Sequence, residues 1–234
     1  MRIHERRLDS NDTDSIGAGG IVSESEMALH DGNVDPAAFT EPSPYGIQSK
    51  KLTIWLFIIS DAVTFGAVLI AYSYLRVGTP DWNRPFQFSP SIVNGMIMTF
   101  ILLSSSLTML AAVAAAKAGQ KSETLKWLVG TIILGAAFAV LHLKEWFHMF
   151  GEGWGLSHNP TGGPIIFGAA FFSITGLHLL HVISGVIALI VIAIGFKTEW
   201  LDANHVETTG LYWHFVDVVW MFVFPLLYLM NAAH

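Results

Sequence analysis

The sequence predicts an all-α integral membrane bundle of five transmembrane helices, with a cytoplasmic N-terminus and a periplasmic C-terminus. Three observations carry that prediction. Of the 234 residues, 53% are hydrophobic and only 13% are charged, about half the charged share of an ordinary soluble protein. The apolar residues fall into five long blocks, each meeting the roughly 20 residues needed to cross a hydrocarbon core about 30 Å thick. Lysine and arginine are divided unequally between the connections, which sets the orientation.

In chain order the blocks are about 52–74, 92–116, 125–147, 165–196 and 211–230. The fourth is longer than the hydrocarbon requires, so it is expected to tilt or protrude. Between the blocks stand Gly78-Thr79-Pro80, Asn83-Arg84-Pro85, Ala118-Gly119-Gln120 and the run 151–164, all rich in turn residues. Barrel strands are excluded, because they alternate in polarity over about ten residues. Residues 50–234 therefore form one transmembrane domain.

Ahead of it, residues 1–49 hold nine acidic residues against Arg2, Arg6 and Arg7, which accounts for the whole net charge of −6. That composition, with scattered Gly and Pro and little hydrophobic periodicity, reads as a disordered cytoplasmic tail. It lacks the apolar stretch of a secretory signal. No basic or aromatic concentration suggests nucleic acid as a partner. The tail, Lys50, Lys51, Lys117, Lys121, Lys126 and Lys197 put nine basic residues on one side, against Arg76, Arg84 and Lys144 on the other. The positive side is cytoplasmic, and the expected location is the inner (cell) membrane of a bacterium.

Ionisable groups within such helices are expensive, about 2.5–3.5 kcal/mol each on insertion scales, so each needs an explanation. Asp61 lies in LFIISDAVTF with no cation within a turn. An isolated aspartate there favours its protonated form, because burial disfavours charge. It serves either a proton-uptake path or a hydrogen bond to a neighbouring helix. His142 and Glu145 are three residues apart on one face, where they pair or anchor the helix at the interface. The fourth block repeats Thr175, His178, His181 and Ser184 at the same interval, with the histidines expected to hydrogen-bond to neighbouring helices. Gly168, Gly176 and Gly185 allow close helix approach there. In the fifth block Asp217 is placed to orient or charge-pair His214, either structurally or in proton handling, and Pro225 bends the outer end. The absence of cysteine excludes disulfides, thiolate metal sites and cysteine nucleophiles.

These same clusters resemble subunit III of the haem–copper terminal oxidases. YWHFVDVVW at 212–220 is similar to that family's signature, and FGAAFFSITGLHLLHVISG to its Phe- and Gly-rich helix with His-x-x-His. SSSLTM at 104–109, with Asn94 before it, matches the family's Asn and Ser-Ser pattern. Asp61 stands where the family usually has glutamate, Glu145 matches its glutamate before an aromatic, and Glu207 its acidic residue ahead of the last helix. The resemblance runs in order from about 55 to 230. Departures are His142 where many members have glutamine, Leu179 for a glycine and Leu211 for a tryptophan. The two extra N-terminal helices of longer members are also absent.

The resemblance implies a chain with no redox centre or metal of its own, packed mainly on subunit I and also associated with subunit II. Those partners would carry the haems and copper, and phospholipid would bind the chain. Asp61 would influence proton uptake. Asn94, His142, Glu145, His178, His181, Glu207, His214 and Asp217 would hold helices, lipid or the subunit interface. The complex would reduce dioxygen to water and pump protons. Competing readings are the third subunit of a quinol oxidase and an accessory protein of nitric oxide reductase. From other classes come a membrane cytochrome b, which lacks two histidines 13 or 14 residues apart on one helix, and a transporter, which would show repeats or broken helices.

Overall fold

A computed structural model describes residues 49–80, 82–86, 91–162 and 164–232. The disordered tail expected over 1–49 lies outside the described residues except for Ser49, where the first helix starts. Five helices follow: α1 Ser49–Gly78, α2 Val93–Lys117, α3 Lys121–Gly151, α4 Ile166–Lys197 and α5 Ala203–Leu227, then a 3-10 turn Leu229–Asn231. Each of the five is long and apolar enough to cross a membrane.

Hydropathy marks the bilayer-thick part of a helix and not its ends. The fifth helix therefore begins at Ala203, eight residues before the apolar block starting at 211. Its first turns are polar, and what starts it is a cap. Asp202 has extended backbone, and its Oδ1 accepts from the backbone N–H of Asn204 at 3.1 Å and of His205 at 3.3 Å, satisfying donors that have no partner within the helix. Glu207 thus lies inside α5, not ahead of it as expected. The α2–α3 turn is closed by Gly119 at φ +71°. Gln120 N–H donates to Ala115 O and Gly119 N–H to Ala116 O, the paired bonds that end a helix through a left-handed residue. That tight reversal makes α2 and α3 an antiparallel pair.

α5 is the hub. Half of its most apolar stretch (50%) is buried, against 11% for α1. α1, α2 and α4 all pack on α5, while α2 also packs on α3, α3 on α4, and α4 on α1. Trp213 is wedged against two glycines: a Cβ on Gly135 would lie 2.5 Å from its ring, and one on Gly185 3.0 Å away. Those two glycines let α3 and α4 close on the indole, whose N–H donates to Ser105 of α2 at 3.0 Å.

The end of the bundle where α1 and α5 finish is tied by Asn231. Its Oδ1 accepts from Trp82 Nε1 at 2.7 Å and Arg76 Nε at 3.2 Å, while its amide donates to Tyr72 Oη at 2.5 Å and Leu227 O at 2.6 Å. One side chain thereby joins the end of α1, the α1–α2 connection and the end of α5. Phe86 of that connection stacks on Tyr228 at 4.7 Å. An apolar pocket of about 440 Å³ lies between α1 and α5, lined by Phe65, Gly66, Leu69, Phe215, Val219 and Phe222 among others.

Candidate functional site

The polar groups within the spans form cross-helix ties, and most of the ties differ from those the single-helix spacings suggested. Asp61 is not isolated. His181 of α4 brings Nε2 to 3.2 Å from Asp61 Oδ2, with both side chains roughly four-fifths buried. His181 Nδ1 lies 2.7 Å from Leu177 O. A carbonyl only accepts, so Nδ1 carries a proton and donates it. The Asp61–His181 contact then requires a second proton between two atoms that otherwise both accept. It sits on the carboxyl, making a neutral pair, or on the imidazole, making an ion pair. In either form one proton lies between Asp61 and His181, at a partly open edge of the bundle.

His178, one turn away, behaves otherwise. It is fully buried, as is His142 of α3, and neither imidazole has a hydrogen-bond partner among the described residues. The expected hydrogen bonds of His178 to neighbouring helices do not form, nor does a His142–Glu145 pair. Both rings instead pack on Trp220, at 5.4 Å for His142 and 5.2 Å for His178, and on Phe138. Three-residue spacing gives two side chains nearly the same face, but a 60° difference in heading sends one into the core and the other towards a different helix. Glu145 finds Asn94 of α2 instead, whose amide donates to Oε2 at 2.7 Å.

His214 and Asp217 do not pair directly. Ser106 of α2 stands between them: its hydroxyl donates to Asp217 Oδ2 at 2.8 Å and lies 3.0 Å from His214 Nδ1. One hydroxyl has one proton, so Nδ1 carries its own and donates to Ser106 Oγ. Asp217 is 6% exposed, and its Oδ1 has no partner among the described residues. At the opposite end from Asn231, Glu207 accepts from Lys51 of α1 and Lys117 of α2, each at 3.1 Å.

Sequence reading missed Ser106, Thr99, Tyr72 and Asn231 as partners. Thr99 accepts the Trp220 N–H at 3.0 Å. The signal for the first lay in the SSSLTM run, where Ser105 and Ser106 meet successive turns of α5. Asn231 follows the last apolar run, and its partners Tyr72, Arg76 and Trp82 reach it only because α1 ends beside α5.

The chain matches the family described as cytochrome c oxidase subunit III over residues 39–232. Among curated relatives, the cytochrome bo(3) ubiquinol oxidase subunit 3 of Pseudomonas aeruginosa is 34% identical, covering 76% of this chain and 83% of its own. The cytochrome c oxidase subunit 3 of Alkalihalophilus pseudofirmus is 33% identical, with 80% and 89% covered. The quinol oxidase subunit 3 of Bacillus subtilis is 33% identical, with 82% and 94% covered.

Proposed function

Because the chain belongs to the cytochrome c oxidase subunit III family, we propose that it supports proton uptake and turnover stability in a proton-pumping oxidase without carrying a redox centre itself. The family is a multi-pass membrane subunit of terminal oxidases and associates with the other subunits of such complexes. The finer reading adds the charge balance of the connections and what the family resemblance implies. It puts the N-terminus in the cytoplasm of a bacterial cell, subunit I as the main contact and subunit II as the second. The haems and copper lie in those partners, and phospholipid covers the outward apolar faces.

The observation that carries the reading is the Asp61–His181 pair. A carboxyl and an imidazole that share one proton, 3.2 Å apart and partly open at the bundle edge, can take up a proton and pass it on with little rearrangement. The other ties, Asn94–Glu145 and Ser106 with His214 and Asp217, hold α2 to α3 and α5. They keep the helices that support the pair in register.

Cytochrome c is the proposed electron donor. A second reading, quinol as donor, is favoured by the Pseudomonas aeruginosa and Bacillus subtilis relatives, which are quinol-type subunits by name. Purification from native membranes in mild detergent, with an optical spectrum and mass-spectrometric identification of every chain, tests both. A haem–copper subunit I with a copper-bearing subunit II supports the first. Subunit I with a subunit II lacking copper supports the second, and isolation with no oxidase subunit overturns the proposal.

A further inference from the structure

Phe57, Asp61 and Phe65 follow one another at intervals of four on α1, so they share one face over successive turns. Phe57 packs on Tyr212 of α5 with ring centroids 5.9 Å apart, Asp61 meets His181 of α4, and Phe65 sets its ring edge against His181 at 5.3 Å. α1 is the least buried of the spans, so few other contacts set where Asp61 stands. The ring of Tyr212 is one of them, a single turn from the carboxyl.

Tyr212 also reaches the other half of the pair. Its hydroxyl lies 3.1 Å from His181 O and 2.9 Å from Ser184 Oγ, which itself lies 2.9 Å from His181 O. Two hydroxyls bring two protons and the carbonyl only accepts, so the pair closes on His181 O whichever hydroxyl donates to the other. The carbonyl is open to them because the residue four positions on is Gly185, where a Cβ would lie 3.3 Å from Tyr212 Cε1 and 3.0 Å from the Trp213 ring. Ser184 belongs to α4, so its bond ties that helix to itself, whereas the Tyr212 hydroxyl ties it to α5. The imidazole is held separately, by Nδ1 donating to Leu177 O. One residue of α5 therefore touches both helices that carry the pair, α1 through its ring and α4 through its hydroxyl.

We propose that Tyr212 is a positioning residue for the Asp61–His181 pair, placing α1 through Phe57 and α4 through the His181 carbonyl. The proposal rests on the proton-uptake reading above. The test uses the complex purified from native membranes and the variant Tyr212→Phe, which keeps the ring on Phe57 and removes the hydroxyl. The infrared band lost in Asp61→Asn identifies the Asp61 carboxyl, protonated or ionised. That band is expected to shift in Tyr212→Phe and to stay in place in Tyr74→Phe, which removes the hydroxyl of an exposed phenol on α1. Proton uptake should slow about threefold, the size of one net hydrogen bond, and the same substitution in an Asp61→Asn background should slow it no further. An unshifted band, or equal slowing in both backgrounds, overturns the proposal, because a tie that only holds the bundle together acts with or without Asp61. Uptake that Asp61→Asn leaves unchanged overturns the proton-uptake reading instead, and the band alone then decides whether Tyr212 positions the pair.

Discussion

Asp61 Oδ2 and His181 Nε2 lie 3.2 Å apart, joining α1 to α4 although 120 residues of chain separate them. α1 is the least buried of the five helices, so few apolar contacts hold it. Its polar ties are spread along its length: Lys51 to Glu207 near the start, Asp61 to His181 within the span, and Arg76 to Asn231 at the end. The tie within the span is the one that joins a carboxyl to an imidazole.

Asp61→Asn keeps a hydrogen bond, since the amide N–H can donate to His181 Nε2, but it removes the shared proton. Assembly and thermal stability are expected to stay close to wild type, while proton uptake slows or the enzyme inactivates after fewer turnovers. Pumping and lifetime assays in the purified complex check this, and unchanged values across pH would count against a proton role. Asp61→Leu, by contrast, leaves Nε2 without a partner and should cost about 1 kcal/mol, the low end for a group that is still partly exposed.

Glu207→Gln weakens both ion pairs that close the α1–α2–α5 end. Exposed pairs contribute roughly 0.2–1 kcal/mol each, so a loss of about 1 kcal/mol is expected. The difference from wild type should shrink as salt is raised, because screening weakens the pairs in the parent. Detergent-solubilised thermal unfolding at low and high ionic strength measures it; a gap independent of salt would argue that Glu207 acts through packing.

Gly135→Ala places a methyl 2.5 Å from the Trp213 ring and 3.0 Å from Val186. The indole must shift, and with it the hydrogen bond to Ser105. Overpacking of this kind costs about 1–3 kcal/mol. The variant is expected to unfold at lower temperature with altered Trp fluorescence. Gly66→Ala, whose Cβ would meet nothing within 4 Å, should stay near wild type.

The start of α5 is acid-sensitive. The hydrogen bond from His205 holds the Asp202 carboxyl below its ordinary value, with the backbone N–H bonds adding to the effect. A depressed carboxylate contributes stability that is present above its unfolded value, near 4, and is lost as pH falls through the folded value. Hydrogen exchange at the amides of Asn204 and His205 should therefore accelerate, relative to the middle of α5, only below about pH 4. Asp202→Ala should produce that fraying at neutral pH, at a cost of roughly 0.5–1 kcal/mol for so exposed a cap. Equal protection in the variant would remove the cap from the account.

The five spans and the family were legible in the sequence because each depends on local composition and short motifs. Twenty apolar residues in a row have only one stable use in a bilayer, and a buried Asp or His stands out wherever it occurs. The onset of α5 was not legible from hydropathy, since a capped polar turn looks like a loop on that scale. The partners were legible least of all. Spacing along one helix suggested His142 with Glu145 and His214 with Asp217, yet Glu145 bonds Asn94 and a serine of α2 stands between His214 and Asp217.

The sequence by itself thus determined an all-helical, membrane-spanning chain of the subunit III family and the polar residues it carries into the bilayer. Only the tertiary structure decided that Asp61 meets His181, that His142 and His178 are held by aromatic rings, and that Ser106 stands between His214 and Asp217. The physical reason is one of range. Helix formation and membrane burial are set by neighbours along the chain, whereas a side-chain hydrogen bond needs two atoms within about 3 Å. For residues on different helices, that distance depends on how every helix packs around α5.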